Sequence, residues 1–200
     1  MKKNSVLDRI LLLITGLLAA YQIIAMDGIT GLAGWAYTIA FGVLLVAGLL
    51  IIIMGFEVLD SPWVVIVSTI IPLSLSLGLV AEYLTAWTTP YLIFVIAGFL
   101  AVVVTRLATP GKLATFTLTI VHGIAGMLIF LLPIVFALSG RANPGFALVG
   151  IGGALIGVGG LLLSFLKAGK PILPQKTILT VLPALLLLMT AAFVAGFALG

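Results

Sequence analysis

The sequence predicts an all-α fold, a polytopic transmembrane bundle of seven helices with the N-terminus inside and the C-terminus outside. Three observations carry that reading. The 200-residue chain is 64% hydrophobic and 7% charged, against about 25% charged in an average soluble domain. Seven apolar stretches are each long enough to cross a bilayer, which takes about 20 helical residues. The basic residues fall almost entirely on alternate loops, as cytoplasmic loops require. A soluble domain cannot hide this much apolar surface, because surface grows too quickly relative to core volume. Lipid is therefore the solvent, and residues 1–200 read as a single integral membrane domain.

The spans run roughly over 10–26, 32–56, 63–82, 89–105, 113–138, 145–166 and 177–199. The first follows Lys2, Lys3 and Arg9 and ends at Asp27-Gly28 and Gly31. It has the basic start and apolar middle of a signal peptide, but "AAYQIIAMDG" holds no small-x-small cleavage pattern. It is read as an uncleaved signal anchor. Asp60-Ser61-Pro62 ends the second span, and Thr88-Thr89-Pro90 parts the third from the fourth. Pro110-Gly111-Lys112 and Arg141-Ala142-Asn143-Pro144 make the next two breaks, and Lys167-Ala168-Gly169-Lys170-Pro171 the last. Glycine permits positive φ and proline cannot continue a helix, so each break has a mechanism.

Charge tests the count independently. Seven crossings from an inside N-terminus place Lys2, Lys3, Arg9, Arg106, Lys112, Lys167, Lys170 and Lys176 inside, and only Arg141 outside. Trp35, Trp87 and Tyr91 then lie at outer edges and Trp63 at an inner one, where amphipathic rings settle.

The chain also carries an internal echo. At an offset of 111, Gly34, Ala36, Gly42, Leu44, Gly48 and Leu50 recur as Gly145, Ala147, Gly153, Leu155, Gly159 and Leu161, and Thr69 and Pro72 recur as Thr180 and Pro183. "ITGLL" (14–18) and "IAGML" (124–128) extend the match, one residue out of step. The pattern predicts repeat halves 9–83 and 113–200, spans 1–3 and 5–7, with span four (89–107) as connector. Copies displaced by four helices run the same way, giving a parallel repeat about an axis along the membrane normal. A shorter echo links "GLLAAY" (16–21) to "GLVAEY" (78–83).

Glycine density is the sharpest local feature. Residues 143–167, "NPGFALVGIGGALIGVGGLLLSFLK", hold seven glycines, each costing a water-exposed helix about 1 kcal/mol relative to alanine. In hydrocarbon that cost shrinks, because unwinding would expose unpaired backbone groups. Small residues instead let helices approach closely where burial alone gives little reason to associate. Gly150/Gly157, Gly152/Gly159 and Gly153/Gly160 are seven apart and stay nearly on one face. The sixth span is therefore expected to pack on two sides through Gly150, Gly153, Gly157 and Gly160, with Gly42 and Gly48 playing that part in the second.

This stretch resembles the second helix of the short-repeat membrane proteins that include the HdeD-like acid-resistance family. "PYLIFVIAGFLAVVVTRL" (90–107) resembles it less closely. The resemblance implies recurring two-helix hairpins and a multi-pass place in a prokaryotic plasma (inner) membrane, although a seventh helix departs from the pattern. Ser61-Pro62-Trp63 after Gly55 is similar to the signature of a small bacterial family named for SPW repeats. Neither family brings a catalytic residue.

Chemistry is sparse. With no cysteine, disulfides, thiolate metal sites and cysteine nucleophiles are excluded. One histidine cannot provide both axial ligands of a b-type haem. The seventh span has no mid-helix lysine for retinal, no Gly-x-Ser motif precedes the histidine, and the Gly-x-Gly runs follow no strand. His122, at membrane depth, shares a helical face with Thr115, Thr119, Gly126 and Pro133, a face expected to turn toward protein. It is read as a neutral structural imidazole, with a proton relay as the alternative. Glu57 and Asp60 are expected to pair with Arg106 or Lys112. Pro72, Pro133 and Pro183 interrupt spans three, five and seven, and Ser74 and Ser76 accompany Pro72. Interrupted helices at matching positions of two repeats can mark a transport site.

Two functions fit this inventory. The first is a non-catalytic membrane module, an accessory or scaffold subunit with no cofactor, no metal and no nucleic acid. Its partners would be the lipid bilayer and other membrane chains, or a second copy of itself. The second is a small transporter or channel for a neutral or weakly polar solute, with His122, Thr119, Ser74, Ser76, Pro72 and Pro183 on its path.

Overall fold

A computed structural model describes residues 4–26, 28–109, 111–167 and 171–200, with the side chains of Ser164 and Lys167 left out. Lys2, Lys3, Asp27, Pro110, Ala168, Gly169 and Lys170, which entered the topology reading, lie outside the described residues. The described chain forms seven helices and contains no strand. They are α1 (Val6–Ala25), α2 (Gly31–Met54), α3 (Pro62–Tyr83), α4 (Thr88–Ala108), α5 (Lys112–Leu138), α6 (Ala147–Lys167) and α7 (Gln175–Leu199). Three short 3-10 turns occupy Phe56–Asp60, Thr85–Trp87 and Pro144–Phe146. All seven helices are long and apolar enough to cross a membrane, so this is a multi-pass helical membrane protein.

Local chemistry sets the helix ends. Helix α1 starts four residues before the sequence-based boundary, because Ser5 and Asp8 form a capping box. The Ser5 hydroxyl accepts from the Asp8 N–H at 3.1 Å, and the Asp8 carboxylate accepts from the Ser5 N–H at 2.8 Å. Hydropathy alone begins the span after Arg9 and misses this polar first turn. At the far end of α2, Gly55 adopts φ +80°, a conformation that strains any L side chain. The helix stops there, and the chain continues as the 3-10 turn that buries Phe56.

Neighbouring helices pack in sequence within α1–α2–α3 and within α5–α6–α7. The two triplets meet where α3 lies on α5 and α1 lies on α7, closing six helices into a ring. Helix α4 sits outside it, against α3 and α5. Only 17% of its span is buried, against 61% for α3, which makes α4 the peripheral helix and α3 the most enclosed.

The ring interior is filled. Tyr37 and Phe41 of α2, Phe146 and Phe193 are at most 2% exposed. They pack with Leu75, Leu79, Ile129, Val149 and Met189 into one core. Phe197 joins them edge-on, 5.0 Å from Tyr37 and 6.3 Å from Phe41 and from Phe146, centroid to centroid. Such pairs each contribute about 0.5–1.5 kcal/mol beyond area burial.

Glycine makes the α2 seams possible. A Cβ at Gly78 of α3 would fall inside the Tyr37 ring, and one at Gly16 of α1 would lie 3.2 Å from Leu45. These two glycines open the matching GLLAAY and GLVAEY segments, so that echo marks the two places where α2 is gripped by its flanking helices.

Gly78→Ala should lower stability by about 1–3 kcal/mol, because the buried Tyr37 ring has no room to yield. Gly126→Ala, which meets nothing within 4 Å, should stay within about 0.5 kcal/mol of the parent. Denaturation of the purified protein in mild detergent measures both. Equal losses in the two variants would contradict the packing account.

Candidate functional site

The glycines of α6 divide between two seams. On the α5 side, a Cβ at Gly150 would lie 2.6 Å from the Phe130 carbonyl oxygen, and one at Gly153 would lie 2.9 Å from the Phe130 nitrogen. On the α7 side, a Cβ at Gly152 would lie 2.6 Å from the Phe193 ring and one at Gly159 would lie 2.9 Å from Leu185. Gly196 of α7 closes the same seam, where a Cβ would lie 2.5 Å from the Val149 nitrogen. A Cβ at Gly48 would make ordinary contact with α1, 3.7 Å from the Leu12 carbonyl oxygen. Gly42, Gly157 and Gly160 meet nothing within 4 Å.

The open glycines follow from register. Phe130 beside Gly153 and Ile134 beside Gly150 set an antiparallel pairing of α5 and α6. Continued inward, it brings Gly126 opposite Gly157 and Gly123 opposite Gly160. A Cβ at any of the four would meet no other residue within 4 Å, because neither helix offers a side chain to fill the seam. Val158 and Leu161 beside them are 49% and 57% exposed.

The polar residues do not gather. Pro72, Ser74 and Ser76 are all buried in α3. The Ser76 hydroxyl donates to the Pro72 carbonyl at 2.6 Å and accepts from the Tyr91 hydroxyl of α4 at 2.8 Å. Ser76 thus ties α3 to the peripheral helix instead of lining the ring. Pro183 is buried in α7 and Pro133 in α5.

The expected protein-facing side of α5 needs correction. Thr115 and Thr119 are exposed, and His122 and Gly126 are half-buried. The Thr119 hydroxyl donates to the Thr115 carbonyl at 2.9 Å, and the Thr115 hydroxyl to the Gly111 carbonyl at 3.2 Å. Both are satisfied within their own helix and need no protein partner in lipid. The Nδ1 atom of His122 is enclosed and makes no hydrogen bond of good geometry, as is Nε of Arg106 on the adjacent α4. Glu57 and Asp60 are exposed, and among the described residues no ion pair joins them to Arg106 or Lys112. The exposed ends of these side chains gain little from pairing in water. No group of three metal-ligating side chains occurs among the described residues.

Two cavities stand apart from these candidates. The larger, about 550 Å³, is an apolar groove on the outer side of α5, between Gly123 and Phe136. The smaller, about 220 Å³, sits at the bundle end where α1, α3 and α7 terminate. Gln22, Glu82, Tyr83, Phe146 and Phe197 form much of its wall. Gln22 is only 3% exposed, and its side-chain amide makes no hydrogen bond to a described residue. The Glu82 carboxylate accepts from the Tyr37 hydroxyl at 2.8 Å. Tyr83 lies 4.9 Å from Phe146 and 5.6 Å from Phe136, ring to ring. None of His122, Thr119, Ser74, Ser76, Pro72 and Pro183 lines either cavity.

Sequence reasoning gave none of Gln22, Glu82 and Tyr83 a part in a site. The signal was the echo of GLLAAY with GLVAEY, which ends on Tyr21 and Tyr83, both at this cavity.

The Ser76–Tyr91 bond predicts an asymmetry. Tyr91→Phe should cost about 0.6 kcal/mol, an average value for an interhelical hydrogen bond in a membrane. Ser76→Ala should cost more, about 1–3 kcal/mol, because it leaves the Tyr91 hydroxyl without its acceptor. Denaturant titration of both variants tests this, and the reverse order would mean that the bond does not hold α4.

No family model, curated protein or solved structure matches this chain.

Proposed function

We propose that the protein is a non-catalytic integral membrane module, an accessory or scaffold subunit whose outer faces receive helices of other chains or of a second copy. One observation carries the reading: the ring interior is filled with aromatic and aliphatic side chains, while glycines lie open on its outside. Attraction between helices in lipid comes from close backbone approach. A face that keeps Gly123, Gly126, Gly157 and Gly160 uncovered has that capacity unused.

The same proposal includes a parallel repeat of α1–α3 and α5–α7. Its support is helix adjacency. Exchanging the triplets turns the α3–α5 contact into the α7–α1 contact, and the neighbour pairs within one triplet into those of the other. Pro72 and Pro183 are then buried at matching places in α3 and α7. The proposal also includes an inside N-terminus, an outside C-terminus, a prokaryotic inner membrane and kinship with the short-repeat, HdeD-like proteins. The basic residues and the glycine pattern of α6 support these in turn.

Transport of a small neutral solute is the second reading. The paired buried prolines favour it. The packed core of Tyr37, Phe41, Ile129, Met189 and Phe193 opposes it, because a path needs polar groups or space at mid-depth.

The chain has no cysteine, so single cysteines can report on contacts. With Gly160→Cys or Gly157→Cys in native membranes, we expect oxidative or bifunctional cross-linking to a partner helix or a second copy. A cysteine at Gly152, inside the α6–α7 seam, should stay unlinked. Uniform silence at the open positions would remove the docking role. Epitope tags on the two termini should fall on opposite sides of the membrane, and same-side tags would overturn the orientation.

A further inference from the structure

Four features of the 220 Å³ end cavity converge on one ligand chemistry. First, α1, α3 and α7 run in the same direction, and all three end at its wall. Gln22 lies in the last turn of α1, Glu82 in that of α3 and Phe197 in that of α7. Each helix C-terminus carries a partial negative charge of about half an electron. Second, the Glu82 carboxylate adds a full negative charge, and its hydrogen bond from Tyr37 leaves further acceptor positions. Third, the Gln22 side chain is 3% exposed, lines the cavity and makes no hydrogen bond to a described residue, so its amide is available to a polar occupant. Fourth, Tyr83, Phe146 and Phe197 supply aromatic walls, which attract cations through their ring faces.

The alternatives fit less well. An anion would meet the full negative charge of Glu82, which the partial charges of the helix ends around it, α1, α3 and α7 by their C-termini and α2 and α6 by their N-termini, do not outweigh. A hard metal ion seeks about six or more oxygen ligands, and one carboxylate, one amide and aromatic rings do not provide them. A wholly apolar guest would leave Gln22 unpaired. The nearby guanidinium of Arg141 is occupied over the Phe136 ring, 5.0 Å from its centroid, and does not line the cavity.

We propose that this cavity binds a small organic ammonium group, held between Glu82, the Gln22 amide and the aromatic walls. The site goes beyond the scaffold role and does not depend on it. The group could arrive as a free alkylamine or as the headgroup of an amine-bearing lipid, since the cavity lies at headgroup level and Tyr21 at its edge is 55% exposed.

The test uses the purified full chain in nanodiscs of phosphatidylglycerol alone, titrated calorimetrically with choline, with ethanolamine and with 3,3-dimethylbutanol, the uncharged carbon analogue of choline. We expect saturable binding of at least one ammonium and none of the analogue. Glu82→Gln and Gln22→Leu should each weaken binding by about tenfold or more. Gln22→Leu breaks no hydrogen bond to a described residue and keeps a side chain of similar size, so its unliganded Tm should not fall, which separates a lost site from a lost fold. Discs containing phosphatidylethanolamine distinguish the source. A lower apparent affinity for free ammonium, with the lipid retained by the parent and not by Gln22→Leu in native mass spectrometry, identifies the headgroup. An unchanged affinity identifies a free amine. Absence of both saturable ammonium binding and retained lipid, equal binding of the analogue, or unaltered binding in both variants overturns the proposal.

Discussion

Close backbone approach at glycine is the interaction on which this molecule depends. Lipid tails are as apolar as leucine, so burying side chains gives membrane helices little reason to associate. What remains is dense packing, and glycine permits it by removing the one atom that would keep two helices apart. Gly150 and Gly153 of α6 approach the backbone of α5, Gly196 of α7 approaches that of α6, and Gly78 of α3 makes room for the Tyr37 ring of α2. The large partners matter equally. A glycine facing a ring or a backbone makes a seam, whereas a glycine facing another glycine leaves a gap, as the inner half of the α5–α6 boundary illustrates.

This packing shapes what the protein can do. Aromatic rings brought together at these seams fill the ring at the depth where a translocation path would have to pass. Hydroxyls within the spans return their hydrogen bonds to their own helices. Thr15, Thr69, Thr105, Thr180 and Thr190 all donate to the carbonyl four residues earlier. That arrangement satisfies each polar group locally and leaves few to act together. The exceptions lie where helices end. There the backbone carbonyls lose their intrahelical partners, and charged or amide side chains can reach both water and the core. The end cavity bounded by Gln22, Glu82 and Tyr83 is such a place.

The two triplets of helices also explain why α4 stands apart. Six helices complete a closed ring through α3–α5 and α1–α7, and the remaining helix has only the outer surface to occupy. Its attachment is correspondingly thin. A Cβ at Gly98 would lie 3.2 Å from Val121 of α5, Val102 is buried, and Tyr91 reaches Ser76.

The sequence by itself determined the all-helical fold class and the number of helices long and apolar enough to cross a membrane. Hydrocarbon demands long apolar helices with every backbone group paired internally, and that demand is written in composition and in Gly/Pro punctuation residue by residue. It also marked α6 as a helix with close neighbours. What the linear pattern could not decide was which glycines meet a partner and which face lipid. Gly153 and Gly160 are seven residues apart and similar in every local respect. One lies against Phe130 and the other against open space, because the difference belongs to α5 and not to α6. Likewise Thr119 appeared to share a protein-facing side with His122, but its hydroxyl closes on its own helix. Gln22 looked like an ordinary helix residue until the ends of α1, α3 and α7 came together around it. Contacts between helices depend on rotation and register, and these are set by the fit of whole surfaces, which only the folded chain brings face to face.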